Sequence, residues 1–262
     1  ESQHLFTGLT DGSRHWYRVR ARSTAQSPAD EGPWSVVVSS TQDATAPVLT
    51  VNGGEGPLMT GQASYLLGGT VADAVSGVSG IDVNGTPADL TGDGSTWSQT
   101  VAPLSPGENV IAVVAFDKAL PPNQSTEHRT IYYAGDSLDA DDDGLPDGWE
   151  FSNGLDLFDD GSQQAANGPL GDGDRDGMEN LIEYVMNRDP NRPDGPAPFA
   201  MATDRGPGGE DFIVLTYNQR ISAPGIAVEV QFSADAKSWV SKPDNIEPVS
   251  VIPGPDGITE VV

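Results

Sequence analysis

Two stretches of the chain follow one twelve-residue pattern, and no other feature constrains its folding so tightly. In the first, Asp139, Asp141 and Asp143 take positions 1, 3 and 5, Gly144 takes 6, Asp147 takes 9 and Glu150 takes 12. In the second, 33 residues further on, Asp172, Asp174, Asp176, Gly177, Asn180 and Glu183 take the same places. Alternate side chains of a sharply curved loop point inward, and a ring of inward carboxylates closes only around a cation. Ca²⁺ accepts about six to eight hard oxygens at irregular angles, whereas Mg²⁺ demands a rigid octahedron and keeps its waters, so about two calcium ions are expected. Gly at position 6 permits the turn. The carbonyls of Leu145 and Met178 at position 7 are expected to face the ion, Glu150 and Glu183 to reach back with both oxygens, and Asp147 and Asn180 to act directly or through water.

Charge alone would not establish this. Between Asp139 and Glu183 there are 14 acidic residues and one basic residue, Arg175, and acidic, Gly-rich runs are also common in solvated linkers. Two full matches to the loop template set this stretch apart from such a linker. Met178, Leu181, Ile182 and Val185 recur at i, i+3, i+4 and i+7, which predicts a helix with one apolar face, closed by Asp189 and Pro190. A shorter helix is predicted over Pro146 to Ser152, stopped by Gly154. The stretches before the loops, Ala134 to Ser137 and Asn167 to Gly171, cannot form stable helices. With a loop and an exit helix but no entering helix, residues 136–190 resemble thrombospondin type 3 repeats and dockerin-like half EF-hands. Asp159 and Asp160, between the loops, are candidates for a further oxygen. The apolar complement of the segment is thin, so it is predicted to be loosened without calcium and a rigid spacer between β domains with it.

Elsewhere the chain reads as β structure. Its 262 residues suit about two or more small domains, and 31 Gly with 21 Pro favour short strands and turns over long helices. Residues 1–43 hold two strand-like runs, His15 to Ala21 and Trp34 to Val38. Leu9 to Gly12, the alternation Tyr17/Val19/Ala21 and the pair Trp34-Ser35 resemble the C-terminal half of a fibronectin type III domain, with His15 where that family places its corner tyrosine. Residues 46–134 carry six strand candidates: Pro47 to Val51, Tyr65 to Val71, Gly80 to Val83, Thr96 to Val101, Asn109 to Phe116 and Thr130 to Tyr133. Gly69 to Asp73, Val83-Asn84-Gly85, Trp97-Ser98 and Pro106 through Asp117 make this segment similar to bacterial Ig-like modules, and Asn84-Gly85 is a two-residue hairpin turn. Residues 191–198 form a Pro-rich linker. Residues 199–262, with strands expected at Asp211 to Tyr217, Ala227 to Ser233 and Ile258 to Val262, resemble the small terminal β domain that follows calcium repeats in large exported bacterial proteins. The expected fold is therefore mainly β and multi-domain: Ig-like and fibronectin III-like sandwiches joined by a small loop-helix segment.

Composition narrows the function. With 39 acidic against 13 basic residues, a formal charge of −26 repels nucleic acid and anionic lipid alike. The absence of cysteine removes disulfides, thiolate metal sites and thiol nucleophiles. No apolar run reaches the ~18 residues of a membrane span. Glu1 is not an initiator Met and the fibronectin-like pattern starts mid-domain, so the chain is expected to be part of a longer protein. The three histidines at 4, 15 and 128 form no recognisable set with a nucleophile and an acid, so no catalytic residue is assigned. The expectation is a non-catalytic, calcium-binding structural or adhesion region of a secreted or cell-surface bacterial protein, with an extracellular polysaccharide or a surface protein as partner. Two alternatives stand beside it: the accessory tail of a secreted, carbohydrate-active hydrolase, and a carbohydrate-binding module using Trp97, Tyr132 or Tyr133.

Overall fold

Short apolar alternations between Gly, Pro and Asn turns leave little room for anything but strands, and strands dominate. The structure is a computed structural model that describes residues 3–25, 31–195, 199–205, 208–223, 225–241, 252–254 and 259–261. The chain divides into two compact units, Glu1–Tyr133 and Ala134–Val262.

In the first unit, β1 (Arg14–Tyr17) and β2 (Val38–Thr41) form an antiparallel ribbon in which His15 faces Ser40. The second strand was expected at Trp34 to Val38 and instead begins where that run ends. Trp34 serves a different purpose: the guanidinium carbons of Arg18 and Arg20 lie 4.2 and 4.4 Å from its ring centroid, a cation–π stack. His15 Nε2 and Ser13 Oγ share a hydrogen bond of 2.6 Å.

The rest of this unit is a two-sheet sandwich. Its strands are β3 (Val48–Val51), β4 (Leu58–Thr60), β5 (Tyr65–Ala72), β6 (Val78–Val83), β7 (Thr86–Pro87), β8 (Asp89–Leu90), β9 (Thr96–Val101), β10 (Gly107–Asp117) and β11 (Gln124–Tyr133). One sheet runs β3-β5-β9-β8 and the other β4-β11-β10-β6-β7, with β4 parallel to β11. Leu67, Val71, Ile81, Val83, Trp97, Ile111, Val113 and Ile131 fill the space between them. Asn84 and Gly85 have φ of 49° and 77° and link paired Val83 and Thr86, the left-handed pair a two-residue hairpin requires. Gly69 is needed for packing: a Cβ there would overlap the Thr50 carbonyl and stand 2.9 Å from Trp97 Nε1, whose N–H donates to Thr50 O at 3.3 Å.

In the second unit α1 (Asp147–Asn153) and α2 (Asn180–Met186) precede β12 (Phe199–Arg205), β13 (Asp211–Arg220), β14 (Gln231–Phe232), β15 (Val240–Ser241), β16 (Ile252–Pro253) and β17 (Thr259–Val261). The sheet order is β12-β13-β17-β16, with β14 and β15 a separate pair. The strand expected at Ala227 to Ser233 is reduced to β14, and Pro196 to Pro198, Ile258 and Val262 lie outside the described residues. Leu145, Trp149, Tyr184 and Val185 form one core with Leu155, Leu181, Ala223, Ile226 and Val228. The loop-helix segment thus shares a core with residues that follow the Pro-rich stretch. Of the expected apolar face, Met178 and Val185 are buried and Leu181 packs against the core, but Ile182 is 39 % exposed and Tyr184, 4 % exposed, takes its place. Arg220 anchors that face, donating Nε–H to Tyr184 O at 2.6 Å with its guanidinium over the Tyr184 ring.

Candidate metal centre

The two loops have the same backbone path. Position 4 is left-handed in both, Asp142 at φ 60° and Arg175 at 67°, and position 6 follows with Gly144 at 97° and Gly177 at 95°. A side chain at position 4 is tolerated in the left-handed region at some cost; at φ near 95° glycine is needed. The first carboxylate of each loop then gathers the turn. Asp139 accepts N–H of Asp143 at 3.1 Å and of Gly144 at 2.9 Å, and Asp172 accepts N–H of Asp176 and of Gly177, both at 3.1 Å. The third carboxylates repeat one another as well, Asp143 Oδ1 accepting Leu145 N–H at 2.7 Å and Asp176 Oδ1 accepting Met178 N–H at 2.8 Å.

These bonds bring Asp139, Asp141 and Asp143 together with one oxygen of each within 4.8 Å of the others, and Asp172, Asp174 and Asp176 likewise. Each exit helix closes its ring. Glu150 and Glu183 are 0 % and 1 % exposed, and none of their four carboxylate oxygens has a hydrogen-bond partner among the described residues. Asp141 Oδ2, Asp143 Oδ2, Asp174 Oδ2 and Asn180 Oδ1 are buried in the same condition. Buried polar atoms are nearly always paired, and leaving a carboxylate without a donor or counter-charge costs several kcal/mol. Eight such oxygens in two clusters are of the kind that could hold a hard cation.

The electrostatics agree. Burial, then the charges of Asp141, Asp143, Asp147 and Asp139, push the Glu150 carboxyl up from the usual 4.5 to about 9. Burial and the Asp143 charge raise Asp141 to about 6, and burial with Asp174, Asp176, Asp194 and Asp172 raises Glu183 to about 7. Carboxyls so placed resist carrying their charges together unless a cation joins them.

The structure brings together the side chains of both expected loops. Leu145 and Met178 at position 7 are 0 % and 3 % exposed. Asp147 at position 9 has Oδ1 engaged by Ala140 N–H at 2.8 Å, whereas Asn180 donates through Nδ2 to the carbonyls of Ala166 and Gly168. Asp159 is not a spare oxygen: it caps its own turn, accepting N–H of Gln163 and Gln164 at 2.9 Å and Asn167 Nδ2–H at 3.0 Å. Asp160 does act on the first loop, its charge helping to raise Asp143. A third acidic group, Asp43, Asp73 and Asp117, forms in the sandwich from residues too far apart in sequence to suggest it. Its carboxylates are already engaged: Asp117 by Ala119 and Asn123, Asp73 by three N–H groups from Val75 to Gly77, and Asp43 by Thr45 and Ser76.

Residues 47–134, the span of the two-sheet sandwich, match the family model for glucodextranase, domain B, which identifies this part as an Ig-like β domain. The comparison with curated proteins finds no match. Ten solved chains match, among them the structure of mouse clustered PcdhgC3 EC1-3 at 13 % identity and a TM-score of 0.27, covering 49 % of this chain and 44 % of that one. Among the described residues no helix is long and apolar enough to cross a membrane.

Proposed function

We propose that residues 139–150 and 172–183 bind two calcium ions and that the chain is a non-catalytic, calcium-stiffened region of a secreted or cell-surface protein. The observation that carries this reading is the pair Glu150 and Glu183, buried with four oxygens lacking donors at the twelfth position of two matching loops. Asp139, Asp141, Asp143, the Leu145 carbonyl, Asp147 and Glu150 would hold the first ion; Asp172, Asp174, Asp176, the Met178 carbonyl, Asn180 and Glu183 the second. Bound calcium supplies the positive charge that offsets their mutual repulsion. The chain's own residues do the rest: Asp139 and Asp172 draw each loop into its turn, and the shared core ties both exit helices to Ala223, Ile226 and Val228. Extracellular calcium modules bind at ~10⁻⁴ to 10⁻³ M, a range that suits a compartment rich in calcium. Isothermal calorimetry on EDTA-treated protein tests the reading. Two sites, abolished together in Asp139→Ala/Asp172→Ala, are expected; no heat up to several millimolar calcium would sink it.

The match of residues 47–134 to a glucodextranase domain favours a second reading, that the parent protein is a carbohydrate-active enzyme and this chain one of its accessory regions. The two readings are compatible, since a stiffened β array can carry a catalytic domain. Glycan binding through Trp97 or Tyr132 is disfavoured, because at 3 % and 7 % exposure neither offers a ring face to a sugar. Retention on an insoluble glycan panel would reinstate it. The likeness of residues 1–43 to fibronectin type III, and of residues 136–190 to thrombospondin type 3 repeats, belongs to the same proposal and rests on the motifs and on the loop without an entering helix.

A further inference from the structure

The two loops differ at position five. Asp143 Oδ2 is buried without a donor. Its counterpart, Asp176 Oδ2, accepts the backbone N–H of Asp194 at 2.9 Å and of Gly195 at 3.0 Å. Those amides are held in place from the end of α2: Arg188 N–H donates to Glu183 O at 2.7 Å, and Arg188 Nη1 pairs with Asp194 Oδ2 at 3.0 Å, with both side chains partly exposed. Residues 188–195 therefore fold back onto the second loop as a clasp. The first loop has Asp160, a like charge, near Asp143.

We propose that this clasp competes with the cation for the second loop, so that the first loop fills at lower calcium and filling the second moves residues 188–195. The inference rests on the calcium reading above. Two N–H donors near 3 Å occupy Asp176 Oδ2 and Met178 N–H takes a place on Oδ1, so three of the carboxylate's roughly four acceptor positions are filled, against the one that Leu145 N–H takes on Asp143, and an ion has to compete for what remains. Glu183 and Asn180, whose oxygens have no donor, mark the second loop as a cation site independently of the clasp. The charge count points the same way: the first loop offers five carboxylates, Asp139, Asp141, Asp143, Asp147 and Glu150, and the second four, Asp172, Asp174, Asp176 and Glu183, with Arg188 beside them. Carboxylate number is a main determinant of affinity in such loops. The first loop is then a constitutive fastener, and the second couples ambient calcium to the chain that leads into β12.

The test is a calcium titration of the full chain, read by calorimetry and by the backbone amides of Gly144, Gly177 and Gly195. Gly144 should saturate at calcium about tenfold lower than Gly177, on the basis of carboxylate count and the clasp, and Gly195 should shift in step with Gly177. Arg188→Gln releases Asp194 and should tighten the second site several-fold while the first, an internal check on folding, stays unchanged. Arg188→Lys keeps the ion pair and should behave as the parent chain. Saturation of both glycines together, a stationary Gly195, or an unaltered or weakened second site in Arg188→Gln would overturn the proposal. Calcium that moves neither Gly144 nor Gly177 would sink calcium binding itself and this inference with it, an outcome distinct from two loops that bind alike.

Discussion

Trp149 and Tyr184 meet edge to face, their ring centroids 5.5 Å apart at an interplanar angle of 65°, and this contact joins the exit helices of the two loops. Each ring is nearly buried, 6 % and 4 % exposed, so removing one opens a cavity between the sites. Trp149→Ala should cost the second unit about 3–5 kcal/mol, measured by urea melting in saturating calcium. Because the core is shared, both calcium sites should weaken; a loss confined to the first loop would mean the helices are independent.

Neutralising the twelfth position separates charge from shape. Glu150→Gln keeps the volume of a residue that is 0 % exposed and replaces a carboxyl that burial, then Asp141, Asp143, Asp147 and Asp139, push up to about 9. In EDTA near pH 7 the variant should melt at a higher temperature than the parent, since folding no longer has to protonate and bury a carboxyl that is ionised in the unfolded chain. In calcium the order should reverse, with first-site affinity down by at least about tenfold, or ~1.4 kcal/mol. Scanning calorimetry with and without calcium reads both signs, and equal melting shifts in the two conditions would argue against a cation at this position.

How much of this was legible in the residues depends on whether side chains or backbone do the work. The loops were, because Asp, Gly and Glu at fixed spacing are all used for their side-chain chemistry or for φ. The strand Thr96–Val101 was legible at both ends. Leu58–Thr60 was not: three residues carry no period, and their partner β11 lies about seventy residues away in a parallel pairing. The polar first half of β11, Gln124 to Arg129, was hidden for the opposite reason, since its ladder with β10 uses backbone groups beneath mostly solvated side chains. The clasp on Asp176 depends on the amides of Asp194 and Gly195, which no residue type announces. Of the face expected for α2, Met178 and Val185 are buried and Leu181 packs on the core, and only Ile182 gives way to Tyr184, whose polar hydroxyl kept it out of the apolar count.

The sandwich should be indifferent to calcium. Gly69→Ala forces a Cβ against the Thr50 carbonyl and Trp97 Nε1, and relieving it means shifting β3 from β5. Overpacking of this kind costs about 1–3 kcal/mol, and the loss should be the same in calcium and in EDTA when followed by Trp97 fluorescence on residues 46–134 expressed alone. The carboxylates of Asp43, Asp73 and Asp117 are engaged by the protein's own donors, and the same measurement on residues 1–134 checks them: a calcium-dependent rise in melting temperature there would show that this third cluster also takes an ion.

Proton and calcium should exclude one another in the second unit. Glu150, Glu183 and Asp141 have carboxyls raised to about 9, 7 and 6 above the ordinary carboxylate range. A group raised on folding holds its proton more tightly in the folded chain, so its contribution is complete below the unfolded value near 4 and is lost as pH climbs through the folded one. In EDTA the unit should therefore grow less stable from about pH 5 to pH 9, the reverse of the trend for carboxylates paired with cations. Calcium binds the deprotonated carboxylates, so its affinity should rise over the same interval, and binding near pH 7 should release protons. Calorimetry in two buffers of different ionisation enthalpy measures that release directly. Proton uptake, or no proton exchange at pH 7, would mean that Glu150 is already ionised there and that its charge is met by a partner other than calcium.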